Sequence, residues 1–365
     1  MYKEIIRPLL DRLDSETWHD RAREALHLSE ISPVTLKILE LFADRGRRYK
    51  NERLKVILGG IEFENPVMVG AGWDKEGIAV KGLFHLGFSG VEVGTVTQYP
   101  QEGNKKPRQF VLGPGTILNR LGFNNLGMNA VAGNLEKYAK SRIPIGISIG
   151  INKDIPAKFA PDGYAEVAGR LYDYASYFAI NVSSPNTPHL RELQNKKALT
   201  DIVQAVQTRM KDLGEVLPLF VKIDPDLNVK TVDDVIRVVV DNSLTGIIAT
   251  NTTVNPDIKA KYGARWAAEY GGVSGDDPDF RRMATEKIAH IYKETAGRVE
   301  IIGVGGIKNT ESAWEKISAG AKIVQVVTAI RGEGPGVAGK INRGLIERMD
   351  KEGIKNIGEV IGSSY

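Results

Sequence analysis

Short apolar runs alternate with longer amphipathic stretches along the chain from about residue 65 onwards. The short runs are rich in Val and Ile, as is typical of strands buried on both faces of a parallel sheet. The longer stretches have the apolar spacing of helices that pack on such a sheet. The predicted strands are 66–70, 90–94, 145–150, 177–182, 219–223, 246–250, 300–303 and 321–327. The predicted helices are 75–86, 124–140, 163–176, 197–213, 231–241, 278–296, 310–319 and 334–352.

Eight strands that alternate with eight helices predict an α/β fold of the (β/α)8 TIM barrel type. A doubly wound open sheet is the alternative. Before the first barrel strand, residues 54–58 and 61–63 flank Gly59 and Gly60. This pattern predicts a hairpin that would plug the bottom of the barrel.

Two intervals are too long to be simple loops between a strand and a helix. Residues 109–118 read as two extended pieces around a Gly-Pro-Gly turn, and residues 251–277 separate the sixth and seventh strands. Insertions at the carboxyl ends of barrel strands usually build the active-site face. We therefore expect the functional site at that end.

The first 50 residues form a separate amphipathic region. Their apolar spacing predicts helices over 2–13, over 15–27 with Asp14 or Ser15 as the cap, and over 34–49. Arg45, Arg47, Arg48 and Lys50 follow the last apolar positions. Such helices either dock on the barrel or lie in a membrane interface, and the pattern alone favours docking. The predicted domains are a helical extension over 1–50 and a barrel over 54–365.

Charge and composition exclude several classes of protein. The net charge is +4 with acidic and basic residues interleaved, so nothing indicates a nucleic-acid partner. No apolar run approaches the roughly 18 residues that span a bilayer. Charged residues within the first eight positions argue against an export signal. Hydrophobic residues make up 42% of the chain, which is enough for a large core.

Cysteine is absent from the chain. Disulfides, thiolate nucleophiles, cysteine-ligated zinc and cysteine-ligated iron–sulfur clusters are therefore excluded. The five histidines show no paired spacing of the kind that metal ligands have. We predict that no metal is bound.

The run 179–188, Ala-Ile-Asn-Val-Ser-Ser-Pro-Asn-Thr-Pro, is the most informative stretch of the chain. An apolar strand ends there in amides and hydroxyls that carry no full charge, and Pro185 and Pro188 fix φ angles in the loop. Such a cluster can hold a polar, planar ligand and place one hydroxyl against it. Taken alone, the run is equally typical of an ordinary Asn/Ser/Pro turn. The interpretation as a ligand-binding cluster gains support because similar polar clusters follow other predicted strands.

Two lysines and a glycine-rich turn indicate a negatively charged ligand. Lys75 and Lys222 lie at strand ends, where burying an ammonium group is costly without an anionic partner. Gly303, Gly305 and Gly306 follow the seventh strand, and a helix begins after the eighth, as in the usual phosphate site of barrels. The glycines alone are weak evidence, since tight turns also need glycine. Reduced flavin mononucleotide (FMN) carries a phosphate and becomes anionic during reaction, which fits both features.

Several motifs together resemble the dihydroorotate dehydrogenase family over nearly the whole chain. They are Gly-Trp-Asp-Lys, Gly-Thr-Val-Thr, Asn-Arg-Leu-Gly-Phe-Asn-Asn, Asn-Val-Ser-Ser-Pro-Asn-Thr, Ala-Thr-Asn-Thr-Thr and Gly-Val-Gly-Gly-Ile, in the family's order. The chain resembles the membrane-associated, quinone-dependent class for two reasons. That class has an N-terminal helical extension, and it uses a serine base where soluble classes use cysteine.

The resemblance implies a function. Dihydroorotate would be oxidised to orotate in pyrimidine biosynthesis, with one non-covalently bound FMN per chain as hydride acceptor and a membrane quinone as final electron acceptor. The N-terminal helices would bind the membrane surface, which implies a peripheral membrane protein, on the cytoplasmic side of the cell membrane if the source is bacterial. His19 and Arg108 match positions near the quinone.

The resemblance also assigns roles to individual residues. Ser184 matches the base that takes the C5 proton, with Thr187 and Phe123 around its proton relay and Lys75 between flavin and substrate. Substrate-binding positions match Lys75, Asn119, Arg120, Leu121, Gly122, Phe123, Asn181, Asn186, Asn251 and Thr252. Flavin-binding positions match Ala71, Gly72, Trp73, Asp74, Lys75, Thr95, Ser148, Asn181, Lys222, Thr250, Gly275, Gly306, Val327 and Thr328.

Two positions depart from the family pattern. Ser148 stands where an asparagine often contacts the flavin, and Val327 stands where a tyrosine usually lies between flavin and quinone. Two rival functions were weighed: a barrel flavoprotein that reduces another unsaturated ring, such as uracil in nucleic acid, and a non-catalytic ligand-binding barrel. The modest charge and the missing cysteine acid argue against the first. Ser184, Thr187, Lys75 and Lys222 together argue against the second.

Overall fold

The computed structural model describes residues 2–10, 12 and 14–365, with the side chain of Leu9 excepted. Leu13 and the side chain of Leu9, both part of the predicted first amphipathic helix, lie outside what is described. A closed parallel barrel forms the centre of the fold, so the predicted (β/α)8 architecture is confirmed and the open-sheet alternative is wrong.

Eight strands close the barrel in the order β3-β4-β7-β8-β9-β10-β12-β13, with β13 paired to β3. All eight lie where the apolar runs predicted them. Most of their side chains are fully buried, since helices cover the outside of the barrel and side chains fill its interior. The strands are β3 (Val67–Val69), β4 (Val91–Val96), β7 (Ile145–Ile149), β8 (Tyr177–Asn181), β9 (Leu219–Ile223), β10 (Gly246–Ala249), β12 (Glu300–Val304) and β13 (Ile323–Val326).

Helices follow the barrel strands as the amphipathic stretches predicted. Capping fixes several starts. Asn309 accepts from the Ser312 backbone in a capping box, and Asn228 caps a helix that begins at Val229, two residues before its predicted start. The helices after the strands are α4 (Val80–His85), α5 (Gly127–Leu135), α6 (Ala160–Leu171), α7 (Lys196–Leu213), α8 (Val229–Asp241), α11 (Pro278–Thr295), α12 (Thr310–Ser318), α13 (Thr328–Glu333) and α14 (Val337–Glu352).

The first barrel helix is shorter than predicted. We expected a helix over 75–86, but α4 begins at Val80. The buried Asp74 carboxylate accepts hydrogen bonds from the backbone N–H groups of Ile78 and Ala79, at 3.1 and 2.8 Å. These bonds stabilise a loop over 75–79, because a side chain there satisfies backbone groups that a helix would otherwise use.

The two long insertions meet in one small sheet. Strands β5 (Gln109–Gly113) and β6 (Thr116–Asn119) form the predicted antiparallel pair around a turn. Strand β11 (Gly272–Gly275), from the second insertion, pairs with β6 and was not predicted. Two short helices, α9 (Pro256–Ala260) and α10 (Ala264–Ala267), precede β11. At the other end of the barrel, β1 (Val56–Leu58) and β2 (Ile61–Phe63) form the predicted hairpin.

The N-terminal region contains short helices in three successive segments. A π-helix (Tyr2–Ile6) leads into α1 (Arg7–Leu10), followed by α2 (Ser15–Ser29) and α3 (Pro33–Leu39). Asp14 caps α2, as predicted, by accepting from the Thr17 N–H at 2.8 Å. The third predicted helix, over 34–49, is wrong beyond Leu39. Two 3₁₀ turns follow α3, and the backbone leaves helical geometry at Ala43, whose ψ is 175°. Arg45 and Gly46 then take positive φ values of 51° and 75°, which an α-helix does not allow.

Buried ion pairs fasten this region to the barrel. The Arg108 guanidinium holds the Glu16 carboxylate of α2, with the shortest N–O distance at 2.6 Å, and Arg343 of α14 pairs with Asp44. Burial opposes ionisation of Glu16, but the hydrogen bonds and charge of Arg108 outweigh it, which lowers the pKa of the carboxyl. The N-terminal region is therefore docked on the barrel.

The apolar side chains of α3 divide between two faces. Leu36 is buried and Leu39 packs against the barrel core. Val34, Ile38 and Leu41 are exposed, at i, i+4 and i+7 spacing, with Ile31 and Phe42 also exposed. Helical geometry explains this division, because positions 36 and 39 share one face of α3, the helix that packs against α4.

Candidate active site

One cavity opens at the carboxyl ends of the barrel strands, beneath the insertion sheet and beside α2. Its lining combines glycine backbone, neutral amides and hydroxyls, two lysines and several aromatic side chains. Sites for ligands usually pair apolar surface with a few placed polar groups in this way.

Most of the residues predicted to form the site line this cavity. They reach it from seven strand ends, the first insertion and α2, which is why widely separated motifs share one wall. The predicted residues on the wall are His19, Ala71, Gly72, Trp73, Lys75, Thr95, Asn119, Leu121, Gly122, Phe123, Asn181, Ser184, Asn186, Lys222, Thr250, Asn251, Thr252, Gly275, Gly306, Val327 and Thr328.

Two predicted arginines have their side chains directed elsewhere. Arg120 pairs with Glu269 and donates to the Pro107 carbonyl oxygen, so its guanidinium is used in holding the insertions together. Arg108 is fully engaged by Glu16 and by the carbonyl oxygens of Glu102 and Asn104. Neither lines the cavity wall, and Arg108 contributes through the α2 residues that it anchors.

Three further predicted residues lie behind the wall. Asp74 caps the 75–79 loop, and its burial raises the pKa of the carboxyl. The Ser148 hydroxyl lies 2.9 Å from the Thr95 hydroxyl and thereby supports a residue of the wall. Thr187 is buried next to the serine loop, and its hydroxyl makes no hydrogen bond within the described part of the chain.

A network of amides and hydroxyls forms one side of the cavity. We name Asn119, Asn181, Ser184, Asn186, Asn251 and Thr252 the amide wall. Asn181 donates to Thr95 at 2.7 Å and accepts from the Ser183 hydroxyl at 3.0 Å, so its amide orientation is fixed. Asn186 donates to the Asn119 side chain at 3.2 Å. Such a neutral, interlocked surface suits a planar ring with its own donors and acceptors.

Ser184 is placed so that its hydroxyl faces the cavity. Its Oγ accepts from the Asn186 backbone N–H at 3.2 Å, which leaves the hydroxyl hydrogen and one lone pair free for a ligand. The residue is only 6% exposed, and the two prolines around it restrict the loop. The geometry therefore permits proton transfer at this oxygen in a site shielded from bulk water.

Buried polar atoms around the cavity lack partners in the described protein. The oxygens of Asn186 (Oδ1), Thr252 (Oγ1) and Gln325 (Oε1) make no hydrogen bond within the described residues. Buried polar atoms are normally paired, because leaving one unpaired costs about 1–3 kcal/mol. Their grouping on one cavity wall indicates a ligand with hydrogen-bond donors.

Two buried lysines give the cavity a positive potential. Lys75 and Lys222 are 6% and 5% exposed and both line the wall. Burial, with the charge of Arg23 acting in the same direction, lowers the pKa of Lys75 to about 8, against a smaller opposing effect of Glu76 and other acids. The nearest carboxylate to Lys222 is Glu92, at 3.6 Å, below the cavity floor. An anionic ligand between these ammonium groups would offset the cost of burying them.

Glycine creates room for a ligand close to the backbone. At Gly72 the φ angle is 100°, and the position where a Cβ would stand has no protein atom within 4 Å, although the residue lines the cavity. Gly305 and Gly306 also take positive φ values after β12. A group with a flat ring and a phosphate, such as FMN, fits a cavity with open glycine backbone, unpaired oxygens and two cations.

The side of the cavity nearest the N-terminal region has a different character. We name Trp18, His19, Trp73, Val327 and Arg331 the extension wall. The His19 and Trp73 ring centroids lie 5.1 Å apart, and His19 Nε2 donates to the Trp73 carbonyl oxygen at 2.6 Å. Burial, followed by the charge of Lys75, lowers the pKa of His19 to about 3. His19 is therefore neutral near pH 7, and this wall offers mainly aromatic and apolar surface.

Sequence reasoning missed several wall residues, among them Trp18, Gln109, Ser274, Gln325 and Arg331. Gln325 was the most accessible to prediction, because it is a polar residue inside an otherwise apolar strand. Trp18 and Arg331 gave no such signal. They meet only because α2 folds across the start of α13, where the Arg331 guanidinium lies 5.6 Å from the Trp18 ring.

Comparison with protein families gives an independent result. A family model described as "Dihydroorotate dehydrogenase" matches residues 53–349. Proteins named "Dihydroorotate dehydrogenase (quinone)" from Anaeromyxobacter dehalogenans and Gloeobacter violaceus are 39% and 40% identical to the chain. Each alignment covers 99% of this chain, with 96% of the first relative and 98% of the second. A relative of the same name from Erythrobacter litoralis is 39% identical over the full length of both chains.

Solved structures agree with the sequence relatives. A dihydroorotate dehydrogenase from Eimeria tenella, crystallised with ferulenol, superposes with a TM-score of 0.87 at 33% identity, covering 96% of both chains. The ligand-free enzyme from the same organism gives a TM-score of 0.86 at 34% identity, covering 96% of this chain and 99% of that one. The similarity extends through the N-terminal region as well as the barrel.

Proposed function

The chain belongs to the dihydroorotate dehydrogenase family, and on that premise we propose how its cavity carries out the reaction. The protein is an oxidoreductase of the quinone-dependent class, which oxidises dihydroorotate to orotate in pyrimidine biosynthesis. The family is flavin-dependent. We propose that the flavin is FMN, bound once per chain. We also propose which residues bind the ligands and transfer the proton, and which surface contacts the membrane.

The main observation in support of an FMN site is the pair of buried lysines on the cavity, Lys75 and Lys222. FMN, when bound, accepts the hydride from dihydroorotate and passes electrons on to the quinone. Lys222 would stabilise negative charge on the reduced ring, and Gly305, Gly306 and Thr328 would hold the phosphate through backbone and hydroxyl donors. Ala71, Gly72, Thr95, Thr250 and Gly275 would contact the flavin along the strand ends. An anion between the two ammonium groups would offset the cost of burying them.

Ser184 takes the proton from C5 of dihydroorotate in this proposal. A serine hydroxyl is a weak base, so it must pass its own proton on. Thr187 is the proposed acceptor, because its buried hydroxyl on the same loop has no partner among the described residues. Phe123 has a positive φ of 51°, and its ring packs against the backbone of Gly150, beside Thr95. Its ring would keep water away from the transfer path.

The amide wall would hold the pyrimidine ring. Asn119 and Asn186 are joined by one hydrogen bond, so each retains an amide atom for the ligand. Asn251 uses its carbonyl oxygen to accept from the Thr252 N–H at 2.8 Å, and Thr252 keeps a free hydroxyl oxygen. The Lys75 ammonium, on the same cavity, would pair with the substrate carboxylate or with the flavin edge. These contacts orient the C5–C6 bond between the serine and the flavin.

The extension wall would receive the quinone. Its aromatic and apolar side chains suit a lipid-soluble ring. Neutral His19 donates its Nε2–H to the Trp73 carbonyl oxygen, so its Nδ1 can accept one hydrogen bond from a ligand. Arg108 would act indirectly, by holding α2 in place through Glu16. Val327 leaves more room than a tyrosine, so the acceptor would approach the flavin across an open gap rather than through a ring.

The exposed side of the N-terminal region would contact a membrane surface. Among the described residues no helix is both long and apolar enough to cross a bilayer. Ile31, Val34, Ile38 and Leu41 are nevertheless 78%, 68%, 51% and 65% exposed, beside the exposed basic residues Arg45 and Arg47. Apolar side chains next to basic ones favour an anionic lipid interface. Residues 1–50 would then form the domain that brings quinone from the membrane to the barrel of 54–365.

Liposome flotation tests the membrane part of this proposal. The double variant Val34→Asp, Ile38→Asp should bind vesicles containing anionic lipid about tenfold or more weakly, because each burial of a large aliphatic side chain contributes about 1.5–3 kcal/mol. Ile57→Asp is the matched control, since Ile57 is similarly exposed but lies on the hairpin at the barrel bottom. Equal binding by the double variant and the control would refute the assignment of this surface.

An absorbance spectrum tests the main proposal. The purified protein should show a flavin spectrum with one FMN per chain, and release of the cofactor should need only denaturation. Anaerobic dihydroorotate should bleach the flavin, and a quinone should restore its colour. A colourless protein that takes up no FMN, or a flavin that dihydroorotate leaves oxidised, would overturn the proposal.

A further inference from the structure

A buried glutamate lies inside the barrel below the proposed flavin site. Glu92 is the second residue of β4, is fully buried and does not line the cavity. The interior of a TIM barrel is usually filled by branched apolar side chains. A carboxylate at this place is therefore costly and needs an explanation.

Three side chains from three other strands converge on the Glu92 carboxylate. Tyr177 of β8 donates its hydroxyl to Oε2 at 2.9 Å, and Gln325 of β13 donates its amide to the same oxygen at 2.6 Å. Lys222 of β9 places its ammonium 3.6 Å from the other oxygen, Oε1. Oε1 accepts no hydrogen bond from the described residues. One oxygen is thus satisfied, and the other faces a cation.

The backbone is shaped to allow this convergence. A Cβ atom at Gly146, on the neighbouring strand β7, would stand 2.1 Å from the Tyr177 ring. A side chain at position 146 would therefore displace the tyrosine that donates to Glu92. Glycine at position 146 therefore leaves the space that the Tyr177 side chain occupies when it donates to Glu92.

Two of the three partners also face the cavity. Lys222 and Gln325 both line it. Because Gln325 donates its amide nitrogen to Glu92, its oxygen is turned away from Glu92 and has no partner in the described structure. Glu92 thus lies next to two polar side chains that line the cavity.

We propose that Glu92 is a positioning residue that sets the reduction potential of the flavin by partly neutralising the Lys222 ammonium from below. This inference rests on the proposed FMN site. In the oxidised protein Lys222 has Glu92 as its close anionic partner among the described residues. When the flavin becomes anionic, the same ammonium interacts with two negative groups, and Glu92 opposes the reduced form. The carboxylate keeps the potential lower than Lys222 alone would make it.

Redox titration of the holoenzyme tests the inference. Glu92→Gln removes the charge at similar volume and should favour reduced flavin about tenfold at a fixed potential, which is about 30 mV for a two-electron couple. In a Lys222→Met background the cation through which Glu92 acts is gone, so the second substitution Glu92→Gln should then change the potential little. Non-additivity of the two substitutions is the signature of an effect that passes through Lys222.

Glu300→Gln is the matched control. Glu300 also pairs with a lysine, Lys322, at 2.6 Å, and it starts β12 at the opposite end of the barrel. Its replacement should leave the flavin potential unchanged. A structural role of Glu92 would lower thermal stability without raising the potential.

The possible results distinguish a failure of the proposed FMN site from a failure of the role inferred for Glu92. If wild-type protein holds no flavin, the proposed function fails and the inference fails with it. If wild-type protein holds FMN but Glu92→Gln does not raise the potential, only the inference is overturned. A rise of equal size in the Lys222→Met background would also overturn it, because Glu92 would then act on the flavin without Lys222.

Discussion

The two walls of the cavity differ in origin and in chemistry. The amide wall comes from barrel strand ends and the first insertion, and it offers neutral donors and acceptors joined by hydrogen bonds. The extension wall is built where α2 crosses the barrel, and it offers aromatic rings and a histidine whose burial lowers its pKa to about 3. The first wall suits a polar heterocycle, and the second suits a lipid-soluble ring.

This difference assigns one half-reaction to each wall. Reduction of the flavin would depend on Ser184 and the amides, whereas reoxidation would depend on Trp18, His19 and the position of α2. The walls share the lysines, since Lys75 raises the positive potential near His19 as well as near the substrate. Substitutions on one wall should therefore leave the other half-reaction nearly intact.

The largest expected effect is on the amide wall. Ser184→Ala should slow flavin reduction by dihydroorotate by about 10²–10⁴, because it removes the positioned base, while FMN stays bound and quinone reoxidation keeps its rate. Single-turnover stopped flow measures this rate. Ser183→Ala is a matched loss of one hydroxyl from the same loop and should have a smaller effect, since Ser183 supports Asn181 and Asn251 from behind and does not line the cavity. Near-normal reduction by Ser184→Ala would remove this serine from the mechanism.

The next effect concerns the extension wall as a whole. Deleting residues 2–50 should abolish turnover with long-chain quinones, while dihydroorotate still bleaches the flavin. The deletion removes the Glu16 partner of Arg108 together with α2, which covers it, so the guanidinium becomes solvated and the barrel should stay folded, as urea unfolding would show. Full quinone turnover by the truncated chain would show that the helices only cap the barrel.

A smaller effect is expected on the pH dependence of orotate binding, because Lys75 lies near both walls. Burial lowers the pKa of Lys75 to about 8, so the free protein carries the ammonium below that pH and loses it above. Orotate is an anion, so its dissociation constant should be flat below about pH 8 and rise at most about tenfold per pH unit above it. Titration of the flavin spectrum with orotate measures this. Lys75→Met should flatten the profile, and a step that survives in that variant would belong to another group.

The sequence was sufficient to predict the barrel and most of one wall. The eight strands follow from apolar runs, and the amide wall follows from polar residues placed at strand ends, because carboxyl ends of parallel strands meet at one face. Local backbone geometry decided the boundaries that were wrong. Asp74 holds residues 75–79 out of α4, and the extended backbone of Ala43 breaks the third predicted helix.

The extension wall could not be predicted in the same way. Its contacts join residues far apart in the chain, as in the pair of Glu16 with Arg108, which are 92 positions apart. No periodicity indicates such a pair. For the same reason Arg108 was assigned to the quinone, whereas the structure shows its guanidinium occupied by α2. Glu92 gave a local signal, a charge within an apolar strand, but its partners on three other strands became visible only in the closed barrel.

The most direct test of the two-wall account is double-mixing stopped flow on Ser184→Ala and Trp18→Ala. Each variant is mixed anaerobically with dihydroorotate and then with quinone, so that flavin reduction and reoxidation are timed separately in one protein. The account predicts that Ser184→Ala slows only the first step and that Trp18→Ala slows only the second, by about tenfold for a loss of about 1.4 kcal/mol of quinone contact. Two variants that slow both steps in the same proportion would contradict the division of the cavity.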